Sequence, residues 1–373
     1  MQNNAVGKRP WDKYEPDLHP KQRIFLSIDI IDSTKHKSSL IGKTANHNVW
    51  AVGFAEFLSE VVVVYQRKLI EIINKHCRKT CGNPCVPKSG EEGQSHHTVN
   101  VWKYIGDEVV LVTELTCKDY HATLHVLALA ETIKELEKSS RDKSRNRNEN
   151  IELRFKGTAW VAGFPVANIE LNLPGPAVGQ TVKDFLGSSM DLGFRLSKFA
   201  SEDRLIISAS LAHLIVKAPA LNKPIMYRGK KENHLPLCFG GQVEAKGIKG
   251  GKHPLIWYSV NETAESELCR VDSGKLQTFL NEVPFKDLVV LPFIPDTSKV
   301  DAKYYKKYQE AVEAQKQIPG SIFYPKGKLP ATYSTKNDNA NASVLKTEKI
   351  VRLISMNYKH KSPKGTFLSR KKR

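Results

Sequence analysis

The sequence predicts an α+β fold, a split βαβ sheet carrying helices on one face. Three observations lead there. Apolar runs rich in β-branched residues alternate with long segments of helical spacing, in the order βαββαβ with further αβ units behind. The two middle strands are joined only by Gly106-Asp107, so they fold as an antiparallel hairpin. The chain, at 373 residues, has ample apolar material for a core and needs no staples.

The first strand lies in "IFLSIDIIDST", Ile24 to Thr34. Its apolar run, broken by one Ser, is the pattern of a strand buried on both faces, where an ionised Asp29 is expensive unless something pairs with it. A bound cation is one such partner. The alternative is that Asp29 sits at the strand's edge and Asp32 caps a turn or helix. Asn46 to His76 form a long apolar-rich helix, and a polar insert, Cys77 to Thr98, follows. Val99 to Leu115 are the hairpin, with an acid at its tip. "YHATLHVLALAETIKELEKS" is a second helix that closes in the polar linker "SRDKSRNRNEN". "IELRFKGTAWVAGFP" follows as a strand pair, "MDLGFRLSKFAS" as a short amphipathic helix, and "DRLIISASLAHLI" as a strand running into a helix. The result is a ferredoxin-like sheet over 22–260, preceded by a polar segment, 1–21, and followed by a basic extension, 261–373. In that extension "FKDLVVLPFI" reads as a strand and "AKYYKKYQEAVEAQKQ" as an exposed helix, with part of the region packed on the core.

Composition narrows the setting. The amino terminus is polar with no apolar signal segment, no run reaches membrane-spanning length, and the six cysteines are scattered, so a cytoplasmic protein without a membrane partner is expected. The net charge is +18, and the last 73 residues hold 17 Lys/Arg against 5 Asp/Glu. Such a tail can bind nucleic acid, a polyanion or a membrane surface, but a Lys-rich terminus is more often a solvated extension, and no nucleic-acid partner is expected. Cys77, Cys81 and Cys85, with His96 and His97 downstream, raise a structural zinc site, although their spacing matches no common zinc pattern. "GIKGGKHP" looks like a phosphate loop but stands where a last hairpin turn belongs.

The predicted sheet brings two acids together. Adjacent strands lie about 5 Å apart, so Asp29 at the end of the first strand and Asp107 at the hairpin tip can share a pair of metal ions. Two carboxylates bridging two divalent cations, Mn2+ or Mg2+, equip a site for in-line attack on a phosphate ester or anhydride. The Ile30 carbonyl is available as a further ligand. The loop Asp32-Ser33-Thr34 leads into a helix whose N–H groups can hold a triphosphate.

"FLSIDIIDST", "KYIGDEVVL", "LRFKGTAWVAG", "DFLGSSMDLGFRLSKFASEDRLIIS" and "VEAKGIKGGKHPLIWYSV" stand in the order and spacing of the class III nucleotidyl cyclase homology domain, which the chain resembles from Gln22 to Val260. "GDEVVL" is also similar to the GGDEF diguanylate cyclases, but the "DFLGSSMDLGFRL" block favours class III. The resemblance implies that Asp29 and Asp107 bind two metal ions with the Ile30 carbonyl. It implies that Lys103 and Asp184 contact the base and that Arg195 stabilises charge on the α-phosphate. Asp191 departs from the pattern, since the family normally has an Asn there to orient the ribose. Asp191 and Arg195, spaced i, i+4, lie on one helix face, where the plain alternative is an ordinary ion pair.

The implied reaction is cyclisation of a nucleoside triphosphate with loss of pyrophosphate. In the family the site lies between two chains, so one copy of each motif implies a homodimer with two shared sites. Lys103 can only donate and an ionised Asp184 can only accept, a pair that serves adenine or uracil equally. The layout, a catalytic strand almost at the amino terminus, resembles the pyrimidine cyclases of bacterial Pycsar antiphage defence, which make cyclic UMP or cyclic CMP to activate a partner effector. UTP is therefore the expected substrate. An adenylate cyclase, an inactive nucleotide-binding sensor and a nucleic-acid-binding protein are the alternatives.

Overall fold

The computed structural model describes residues 15–16, 21–40, 49–76, 99–115, 118–147, 152–164, 168–174, 180–227, 229–244 and 252–281. All lie within the first of the two units into which the chain divides, Met1–Lys306. The cysteine cluster, residues 247–251 of the "GIKGGKHP" stretch and the strand and helix expected beyond 281 fall outside the described residues.

The βαββαβ unit is built from β2 (Lys21–Ile30), α1 (Ser33–Leu40), α2 (Val49–His76), β3 (Asn100–Ile105), β4 (Glu108–Glu114), α3 (Lys118–Arg147) and β5 (Phe155–Phe164). A short β1 (Glu15–Pro16) precedes it. After it come β6 (Asn168–Pro174), β7 (Thr181–Gly187), α4 (Ser188–Leu196), β8 (Arg204–Ile207) and α5 (Ala209–Lys217). Then follow β9 (Ile225–Tyr227), β10 (Lys230–Glu232), β11 (Leu237–Glu244) and β12 (Lys252–Ser259). The last described elements are α6 (Ala264–Leu268), β13 (Arg270–Val271) and α7 (Ser273–Asn281).

The main sheet runs β13-β11-β12-β8-β5-β2-β4-β3. Within it β5-β2-β4-β3 are mutually antiparallel. This is the order a βαββαβ chain reaches when each crossover skips one position and the returning strand fills the gap. Among the described strands only β5 and β8 pair in parallel. β1, β6 and β7 form a separate three-stranded ribbon.

Alternation along β2 sorts the two faces. Ile24, Leu26, Ile28 and Ile30 join the large core under α2, α3, α5 and α7, whereas Phe25 points the other way. On that second face Phe25, Val110, Val112 and Trp160 are covered by Phe185 of β7 and Met190 of α4. The long helices thus lie on one face, as expected, and the short α4 with its ribbon partly covers the other. α7 packs on α5 and β13 pairs with β11, which fixes residues up to 281 on this sheet.

Two expected boundaries moved. The polar linker after the second helix is helical as far as Arg147, because it holds no Gly or Pro and Lys143 bonds back to Glu60 of α2 at 2.5 Å. The strand pair expected over 151–165 is one strand, since Gly157 and Gly163 both stay in register opposite β2. Gly157 is not a break: a Cβ there would lie 2.7 Å from Ile133 Cδ1, so it marks the close approach of α3 to β5.

Candidate active site

The acid cluster follows from sheet register. Asp29 shares the face of Phe25 and Ser27, directly opposite Lys156 on β5 and Glu108 on β4. Lys156 Nζ lies 3.0 Å from Asp29 Oδ2, with side chains 26% and 23% exposed. Ser27 Oγ donates to Glu108 Oε1. Gly106 takes φ 68°, the left-handed value a two-residue turn needs at its first central position, and so delivers Asp107 beside Asp29. Burial pushes the Asp29 carboxyl above the usual carboxylate range; Lys156 opposes this, and Asp107 adds to it through like charge and a shared hydrogen bond. Glu108 is raised too, first by burial, with Ser27 opposing. Acids that push each other toward protonation are relieved by a cation.

These groups line an open cleft of ≈ 590 Å³ that also takes in Ile30, Asp32, Ser33, Thr34 and Lys35. Asp32 adopts φ 54°, a left-handed conformation an Asp tolerates, and turns the chain out of β2 so that α1 begins at the cleft. The unpaired N–H groups of that first turn therefore face the acids' neighbourhood. Among the described residues no group of three or more His, Cys, Asp or Glu is arranged to hold a metal ion. Two carboxylates and a main-chain carbonyl instead fit Mg2+ or Mn2+, hard cations that take one or two carboxylates and complete their shell with water and substrate phosphates.

A second group forms elsewhere on the chain. Lys103 Nζ lies 2.8 Å from Asp184 Oδ1, so the two residues expected to read the base are in contact. The same oxygen accepts from Trp102 Nε1 at 3.0 Å and from the Phe185 N–H at 2.9 Å. Register explains how adjacent residues reach one carboxylate. Val101 pairs with Leu111 and Lys103 with Val110, so Trp102 is the extra residue of a β-bulge that re-aims its neighbours.

α4 carries the remaining pair. Met190, Gly193 and Leu196 are its buried stripe, which leaves Asp191 exposed and Arg195 half-buried at the rim. A Cβ on Gly193 would lie 2.3 Å from the Trp160 ring, so only glycine lets the helix seat this closely. Asp191 and Arg195 form no ion pair among the described residues, contrary to the plain reading of their spacing. None of Lys103, Asp184, Asp191 and Arg195 lines the acid cleft. Within one chain these four residues and the acid cluster therefore do not share that cleft.

Sequence reasoning missed Lys156, Glu108 and Trp102. The first two were recoverable, since pairing β2 with its neighbours puts both opposite Asp29. Trp102 was not, because nothing in "VNVWKYIG" announces the bulge.

No protein-family model matches the chain, and no curated protein matches its sequence. Solved structures do. The adenylyl cyclase CyaB from P. aeruginosa aligns at 14% identity, covering 66% of this chain and 97% of that one, with a TM-score of 0.41. The guanylate cyclase domain of RhGC from Catenaria anguillulae, in complex with GTP, aligns at 15% identity over 64% and 97%, TM-score 0.39. The guanylyl cyclase Cya2 aligns at 13% identity over 68% and 98%, TM-score 0.38. Identities this low leave the chemistry of the site to be read from this chain's own residues. Among the described residues no helix is long and apolar enough to cross a membrane.

Proposed function

We propose that this chain is a nucleotidyl cyclase of class III type, converting a nucleoside triphosphate, UTP before the others, to the 3′,5′-cyclic nucleotide and pyrophosphate. The observation that carries the reading is the Asp29 and Asp107 pair set beside the first turn of α1 in one open cleft. The five ordered sequence motifs agree with it. Asp29, Asp107 and the Ile30 carbonyl would hold two divalent cations, which when bound lower the pKa of the ribose 3′-hydroxyl and offset the phosphate charge.

The other roles fall to the chain's own groups. The N–H groups at Ser33 and Thr34 bind phosphate oxygens. Lys103 donates to the base and Asp184 accepts from it. Arg195 bonds the α-phosphate as the 3′-oxygen attacks phosphorus and pyrophosphate departs. Asp191 bonds a ribose hydroxyl. Because the half-sites of one chain are separate, a homodimer completes each site with residues of both copies. The cyclic pyrimidine nucleotide then acts in the cytoplasm as the signal for an effector in antiphage defence.

The test is to incubate the full chain with ATP, GTP, CTP and UTP in Mn2+ and identify products by mass spectrometry. Cyclic UMP in excess over the other products supports the reading. Cyclic AMP as the main product moves the assignment to an adenylate cyclase, and tight binding without turnover moves it to a sensor.

A further inference from the structure

We infer that Trp102 is a positioning residue for base selection, an inference that rests on the cyclase reading. Its indole N–H, the Phe185 N–H and the Lys103 ammonium all converge on Asp184 Oδ1, at 3.0, 2.9 and 2.8 Å. Three donors saturate that oxygen. Oδ2, with no partner among the described residues, is left as the atom that accepts from a base N–H. Two of the three donors are rigid. The Phe185 N–H is main chain, and the Trp102 ring is wedged between Phe25 at 5.2 Å, Phe185 at 5.3 Å and Phe194 at 5.7 Å. Lys103 is a flexible third, and its ammonium also rests 4.7 Å from the Trp102 ring centre. Trp102 thus holds both members of the base-reading pair, the carboxylate by a hydrogen bond and the ammonium by its ring.

The same ring packs against the helix that carries the proposed ribose and α-phosphate contacts. Phe194 lies on α4 between Asp191 and Arg195 and packs on Trp102 and on Trp160. One aromatic side chain therefore ties the groups that read the base to the helix that bonds ribose and α-phosphate. Loss of the indole N–H leaves one rigid donor, the Phe185 N–H, and the flexible Lys103 on Oδ1, so the Asp184 carboxylate is held less firmly in one orientation and selection blurs. Loss of the whole ring also loosens α4.

The experiment compares wild type, Trp102→Phe and Trp102→Ala in the full chain, by kcat/KM for each of the four triphosphates and by equilibrium binding of the matching 3′-deoxy triphosphates in Mn2+. Trp102→Phe keeps a ring and removes only the donor. It is expected to retain the melting temperature while the preference for the favoured base falls about tenfold in both measurements. Trp102→Ala is expected to lose kcat as well. A Trp102→Phe protein that discriminates as sharply as wild type, by turnover and by binding, overturns the inference while leaving the cyclase reading intact. A wild type that neither binds nor cyclises any of the four overturns both.

Discussion

Asp29 stands between a like charge and an opposite one, and on the proposed function its protonation decides whether the acid pair holds a cation. Burial and Asp107 raise its pKa while Lys156 lowers it. As pH falls through the raised value the carboxyl takes up a proton and stops serving as a ligand, so Mn2+ binding and turnover should fail at a higher pH than for an ordinary carboxylate. Replacing Lys156 with Met removes the opposing charge, which raises the Asp29 pKa further. The acid limb of the pH profile should then move to higher pH, and an unmoved or lowered limb would contradict the account. Asp29→Asn and Asp107→Asn should each cut turnover by at least about a hundredfold with no fall in melting temperature, because each substitution removes one of two repelling acids.

Elements place these residues, and two contacts test the placement. α4 seats on Trp160 through Gly193, so Gly193→Ala should cost about 1–3 kcal/mol of stability and displace Arg195, the proposed α-phosphate contact. Thermal melts and kcat/KM for the same variant check both halves. α3 meets β5 through Glu137, which accepts from the Phe155 N–H at 3.2 Å and whose pKa is pushed up to about 7, mainly by burial. The ordinary value is 4.5, so between these two the folded chain binds the proton that the unfolded chain has released. Stability from this group accordingly falls as pH rises through about 7 and is regained on acidification toward 4.5. Glu137→Gln should flatten that part of the melting-temperature profile between about pH 4.5 and 7, and an unchanged profile would show that another group carries it. The hairpin and the order of the sheet were legible from Gly106-Asp107 and from periodicity. The helical continuation of α3 was not, because "SRDKSRNR" is polar in every register and its helix is held from outside by Glu60 and Glu152.

At the scale of the whole molecule, Asp29 and Asp107 were legible because strand pairing puts one at a strand end and the other at the neighbouring hairpin tip, whereas Lys103 and Asp184, each inside its strand, were reached only through the family resemblance. The separation of the two groups likewise came only with the resemblance and not from pattern, since it depends on how the β6 and β7 ribbon and α4 cover one face of the sheet, and that is a matter of long-range packing. This separation is the centre of the account. On the proposed function, a chain whose metal-holding acids and substrate-reading groups lie in different places completes a site only with a second copy of itself. The direct test mixes Asp29→Ala with Arg195→Ala, each inactive alone, under conditions where subunit exchange is demonstrated, and measures cyclic nucleotide formation. Each mixed dimer holds one site with both half-sites unaltered, so an equal mixture should recover about a quarter of wild-type activity. No recovery, with exchange shown and the wild type active, would contradict a site shared between chains.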